Sequence, residues 1–224
     1  MSANLIGLLI DATWQTLYMV AASTVLGTVL GLPLGVFLAT SQRGELLSRP
    51  WVNKVLGLVV NATRSVPFII LVVAIIPFTR MIAGTSIGTT AAIVPLTLAA
   101  IPFIARLIEN AIREVDSGLI EAARAMGATP MQIIRKVLIP EALPSITLGL
   151  TLAVVSLIGY SAMVGAVGGE GLGDLGIRYG YQRFMPDVMA VVVVILVVLV
   201  QLVQSIGEWI AAKVDKRAPK GRGQ

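Results

Sequence analysis

The 224-residue sequence contains no cysteine and no histidine. Their absence excludes thiol nucleophiles, disulfides, Cys/His metal sites and a histidine general base. Charge is also scarce. Only 13% of residues are Asp, Glu, Lys or Arg, whereas 56% are hydrophobic. A soluble domain carries roughly 25% charged residues. Half that proportion, with a mean hydropathy of +0.89, places the chain in the membrane class. The net charge is +5, but the basic residues are scattered between apolar runs. They do not gather as a nucleic-acid footprint would. Met1 to Ile10 has no positive region ahead of its apolar residues, so it does not read as a cleaved signal peptide.

The sparse charges mark where the apolar runs end. Thirty-one uncharged residues separate Asp11 from Arg43, and 25 separate Arg80 from Arg106. Twenty-eight separate Glu141 from Glu170, and 20 separate Asp187 from Glu208. A hydrocarbon core needs about 20 helical residues. The stretch from Lys54 to Arg80 is long enough as well, although Arg64 interrupts it. The pattern predicts an all-α integral membrane protein with five transmembrane spans near 13–40, 57–79, 87–110, 143–166 and 188–211. Pro33, Pro67, Pro77, Pro95 and Pro102 fall inside them. Membrane bundles tolerate such residues because neighbouring helices satisfy the freed backbone groups.

Five spans put the termini on opposite sides. With the C-terminus cytoplasmic, one side holds Arg43, Arg49, Lys54, Arg113, Arg124, Arg135, Lys136, Lys213, Lys216, Arg217, Lys220 and Arg222. The other holds Arg80, Arg178 and Arg183. This bias sets the N-terminus outside. The stretch 113–142 is then a cytoplasmic loop, and 212–224 a basic cytoplasmic tail that suits topogenesis or a lipid-headgroup contact.

The loop reads as two short helices. Ser117 can cap the first and Gly127 can end it. Thr129, Pro130 and Gln132 form a capping box that starts the second, and Pro140 and Pro144 bracket the return to the membrane. Ala122, Ala123, Ala125, Gly127 and Ala128 are small, which lets another backbone approach. From the residues alone, a helix docking on a partner and an ordinary loop packed on its own bundle are equally open.

Glu121-Ala122-Ala123, three residues, Gly127, nine residues, then Val137-x-Ile139-Pro140 resembles the EAA loop of bacterial ABC importer permeases. Val137 and Ile139 replace the family's Ile and Leu, and every spacing is kept. The resemblance implies a type I ABC importer permease domain over 10–211. It also makes 113–142 a coupling-helix loop, with Glu121, Ala122, Ala123, Met126 and Gly127 seated against an ATPase subunit. No G-x₄-G-K-[ST] occurs in the chain, so ATP and magnesium would sit on that separate partner. Asn61 to Ile69, Gly159 to Gly169, Gly171 to Asp174 and Arg178 to Tyr181 are further similar to the permease subunit of methionine importers. That resemblance implies methionine or a similar amino acid as substrate, a second copy of the chain, two ATPases, an extracytoplasmic binding protein and a bacterial inner membrane.

Path residues can also be sought without the family. Tyr160, Ser161 and Met163 interrupt an aliphatic run with polar and polarizable groups. Met163 can plug a narrow pore or fill a gap between helices. Ser161 can line the path or bond a backbone carbonyl. Arg64 can attract a substrate carboxylate, snorkel to the surface or tie carbonyls together. Arg106, Glu109 and Arg113 share one helical face and suit an ion-paired helix end. Gly27, Gly31 and Gly35 line a helix contact, within the subunit or with its copy. The glycine-rich stretch 165–180 suits an outer gate or a docking surface. An ion-coupled carrier is the main alternative. It usually places ionisable groups at the midplane, whereas Asp11, Glu109, Glu141, Asp187 and Glu208 lie at span ends. An intramembrane enzyme has less support still, with no mid-span Asp pair.

Overall fold

The computed structural model describes residues 3–42 and 44–215. Arg43 and the basic tail from Lys216 onward, which carry part of the charge bias, lie outside the described residues. The first apolar run folds into α1 (Ala3–Thr40). It begins earlier than its charge boundary implies and takes in Asp11, which stands exposed on the helix. The third run forms α5 (Thr89–Arg113). Gly27 faces Ala100, Gly31 faces Ile101 and Ile104, and Gly35 faces Ala105 and Ile108. The residue numbers rise together, so α1 and α5 run parallel. A Cβ on Gly35 would stand 2.5 Å from the Ala105 carbonyl oxygen. Between membrane helices there is no water-driven attraction, so close backbone approach through small residues supplies the packing. These glycines therefore serve the subunit's own interior.

The second run does not form one helix. It breaks into α2 (Pro50–Ser65), α3 (Phe68–Ala74) and α4 (Ile76–Ala83). The α2 and α3 axes differ by 100°, which corrects the expectation of a continuous span over 57–79. The cause is local. Pro67 lacks an N–H and disfavours helical backbone in the residue before it, and Val66 is extended (φ −79, ψ 125). Four helices among the described residues are individually long and apolar enough to cross a bilayer. The bent α2–α3 pair makes five if it counts as one crossing.

The fourth run is longer than expected. α6 (Ser117–Ala125) is the short helix of the loop, but α7 (Pro130–Ile133), a π segment (Ile134–Leu138) and α8 (Ile139–Gly165) form one uninterrupted rod. Pro140 has no N–H to donate, and the Ile139 N–H reaches back to Ile134 O. The ladder widens by one residue instead of breaking. The loop expected over 113–142 is therefore confined to the residues before Pro130. Its second half extends the span.

α8 runs antiparallel to α5, with Gly149 on Leu107 and the Ser145 hydroxyl donating to Glu114 Oε2 (3.1 Å). α10 (Pro186–Val214) packs antiparallel on α8, with Gly207 against Thr151. The glycine-rich stretch after α8 is not a free loop. It forms α9 (Gly171–Leu175) and a second π segment (Gly176–Tyr181). The Leu172 and Gly171 N–H groups donate to Thr16 Oγ1 and Gln15 Oε1 of α1, and Gly165 and Gly173 let α8 and α9 touch at the backbone. α5 is the central helix. Half of its most apolar stretch is buried, against 6% for α10, whose surface is left for lipid or another chain.

Candidate functional site

The loop end is built by two caps. The Asp116 side chain accepts from the Gly118 N–H (2.6 Å) and caps α6, so the cap is Asp116 and not the neighbouring Ser117. At the other end Gly127 adopts φ +78. The Gly127 N–H donates to Arg124 O (2.9 Å) and the Ala128 N–H to Ala123 O (3.1 Å). These are the paired bonds of a Schellman stop, where the left-handed residue favours glycine. Thr129 and Gln132 then form the expected reciprocal box.

This geometry fixes which way α6 faces. Ala123 is buried and joins the core that includes Ile133, Ile134 and Leu138. It anchors α6 to the bundle and is closed to a partner. Glu121, Ala122 and Gly127 are exposed, and Met126 is 81% exposed. The exposed residues thus combine the Glu121 carboxylate, the Arg124 cation, Leu119 and the flexible Met126 with small neighbours, suited to a groove on another protein.

A second region lies where α2 breaks. Arg64, Thr63 and Val66 from the end of α2, Phe68 and Leu71 from α3, Ala99 and Phe103 from α5, and Tyr160 from α8 line a cavity of about 130 Å³. Phe68 stacks on Tyr160 (centroids 4.4 Å apart, planes at 14°). The Arg64 guanidinium lies 5.7 Å from the Phe103 ring centroid. Arg64 has no acidic partner among the described residues. Of the expected path residues, Arg64 and Tyr160 are therefore brought together. Met163, one turn beyond Tyr160 on the same helical face, is half exposed outside the cavity. Of the two readings of Ser161 the structure takes the backbone bond and sets aside the path assignment: it points inward, is buried, and donates to Ile158 O (2.7 Å). Phe68 and Phe103 carry no sequence signal for this site, because only the tertiary fold brings α3, α5 and α8 together.

Arg106 is the contrasting charge. It pairs with Glu109 and donates to Gly57 O (3.3 Å) and Asn61 Oδ1 (2.9 Å) of α2. Arg113 also pairs with Glu109, whose side chain is buried. The ion-paired end of α5 thus also ties α5 to α2 below the break.

The family described as "Binding-protein-dependent transport system inner membrane component" matches residues 31–218. A probable D-methionine transport system permease protein MetI from Vibrio cholerae is 60% identical over 210 residues, covering 94% of this chain and 93% of its own length. A protein of the same description from Pasteurella multocida is 49% identical, covering 96% and 97%. A chain of the MetNI methionine ABC transporter, solved in inward-facing conformations, superposes with a TM-score of 0.94 at 51% identity. It covers 96% of this chain and 100% of its own. With four long apolar helices among the described residues, a bent α2–α3 pair and a capped loop at one end, the chain belongs to the inner-membrane permease components of binding-protein-dependent ABC importers.

Proposed function

We propose that this chain forms half of the translocation path of an ATP-driven methionine importer and works as a homodimer. Two separate ATPase subunits would hold the ATP and magnesium, and an extracytoplasmic binding protein would deliver the substrate. The observation that carries the reading is the exposed face of α6. Its two caps hold Glu121, Ala122, Met126 and Gly127 outward, while Ala123 fastens it to the bundle. Movement of a docked ATPase would pass through α6 into the rod that starts at Pro130. The long relatives described as methionine permeases support the substrate. The charge bias supports a cytoplasmic C-terminus and loop, with the N-terminus outside. Residues 10–211 would constitute the transmembrane domain, and the basic tail would stay at the cytoplasmic face.

Purification with co-expressed neighbouring subunits tests the assembly. An ATPase should be recovered with the chain, and Glu121→Lys should weaken that association about tenfold or more, roughly 1.4 kcal/mol, without loss of folded membrane protein. Unchanged association removes Glu121 from the docking surface. Ion-driven uptake by the chain alone, with no ATPase recovered, would replace the reading with a secondary carrier. Competition of methionine uptake by a panel of amino acids separates methionine from another small amino acid.

A further inference from the structure

We propose that the cavity at the α2–α3 break is a transit site for the free carboxylate of an apolar α-amino acid. Arg64 would be its anion ligand, and the stacked Phe68–Tyr160 pair would receive the side chain. This rests on the importer reading above and adds a specific location to it.

Three features of the cavity point the same way. First, Arg64 is a cation with no acidic partner among the described residues. The other arginine in a span region, Arg106, has Glu109, Asn61 and the Gly57 carbonyl. Arg64 is exposed on the single chain, as fits a charge in a span region that faces water or a substrate path, and a guanidinium fork fits a carboxylate in two parallel hydrogen bonds. Second, apart from Arg64, Thr63 and the Tyr160 hydroxyl, the walls are aromatic rings and aliphatic groups: Phe68, Phe103, the Tyr160 ring, Leu71, Ala99 and Val66. A thioether or aliphatic side chain gains from aromatic faces, whereas a charged one would lose hydration without a partner. Third, the break opens the C-terminal end of α2 towards this space. Pro67 cannot donate to the Thr63 carbonyl, which takes the Val66 N–H instead at 3.4 Å. The negative end of a half-helix favours a positive group, which suits the α-ammonium of the same solute. At about 130 Å³, the space is far smaller than the roughly 300–1,000 Å³ that holds drug-sized ligands. Its occupant is therefore a small solute.

The absence of cysteine from the sequence makes a local test possible. Ala99→Cys places a unique thiol of this chain on the cavity wall, and Thr63→Cys supplies a second reporter. Each is introduced into the assembled permease–ATPase complex in lipid nanodiscs. Maleimide modification of this chain is followed by mass with L-methionine or L-methioninol, which lacks the carboxylate. L-methionine should slow modification with a half-effect concentration about tenfold or more below that of methioninol, as loss of a charged hydrogen-bond pair implies. Arg64→Gln should remove that difference, Arg64→Lys should keep part of it, and Tyr160→Phe should change it little. Absence of protection at both reporters overturns the proposal. So does equal protection by methioninol, or protection unaffected by Arg64→Gln. Recovery of the ATPase and of methionine uptake in the unsubstituted complex is read separately, so failure here leaves the importer reading standing.

Discussion

Arg64 and Arg106 both interrupt apolar stretches, and both lie between α2 and α5, yet they are held differently. Arg106 is saturated. It meets Glu109 on its own helix and Asn61 and Gly57 on α2. Arg64, near the end of α2 and two residues before the extended Val66, meets an aromatic ring and an open cavity. Desolvating a charge is tolerated only with compensation. A saturated arginine is therefore part of the scaffold, and an unsaturated one is available to a ligand. The difference teaches that a charge in a membrane span is classified by its partners and not by its depth.

Three substitutions can break or sharpen that contrast. Glu109→Gln should have the largest effect. It removes two charged hydrogen bonds but strands only Arg106 and Arg113, whose side chains are 22% and 44% exposed, so solvent keeps the cost below that of a stranded buried charge, at about 2–3 kcal/mol. Thermal unfolding of the detergent-solubilised assembly should fall clearly, and an unchanged midpoint would show that the network carries no stability. Asn61→Ala should cost less, about 1.5 kcal/mol, for one hydrogen bond to a charged group. The same melt reads it, together with looser crosslinking between α2 and α5. Arg64→Gln should shift stability least, within about 0.5 kcal/mol, while removing the advantage of L-methionine over L-methioninol described above. A melt depressed as far as that of Glu109→Gln would place Arg64 in the scaffold and erase the distinction.

The sequence made much of the fold legible. Long uncharged runs located the crossings, Gly27, Gly31 and Gly35 announced a helix contact, and the Thr129–Gln132 box appears where its residues imply. Two features misled by the same route. Proline was read as a boundary at Pro140, where the helix absorbs it as a π segment, and as tolerable at Pro67, where it breaks the span. Both residues lack an N–H. What differs is whether the backbone around them finds other donors, and that depends on the neighbouring turns. The candidate path was half legible. Arg64, Tyr160 and Met163 stood out chemically, but Phe68 and Phe103 did not. For Ser161 the sequence offered both a path role and a backbone bond, and helix rotation decided for the bond.

Composition and spacing by themselves determined that the chain belongs in a bilayer and carries a small-residue loop between spans. Solvation decides both: apolar runs leave water, and each charge marks where water returns. The tertiary structure decided which residues meet. It turned Ala123 inward and Met126 outward, made the Gly27–Gly35 stripe an internal seam with α5, and set Arg64 before an aromatic pair drawn from two other helices. Such pairings depend on helix rotation and on the bend at Val66–Pro67. Those are fixed by packing between segments far apart in the chain, and one-dimensional spacing carries no record of them.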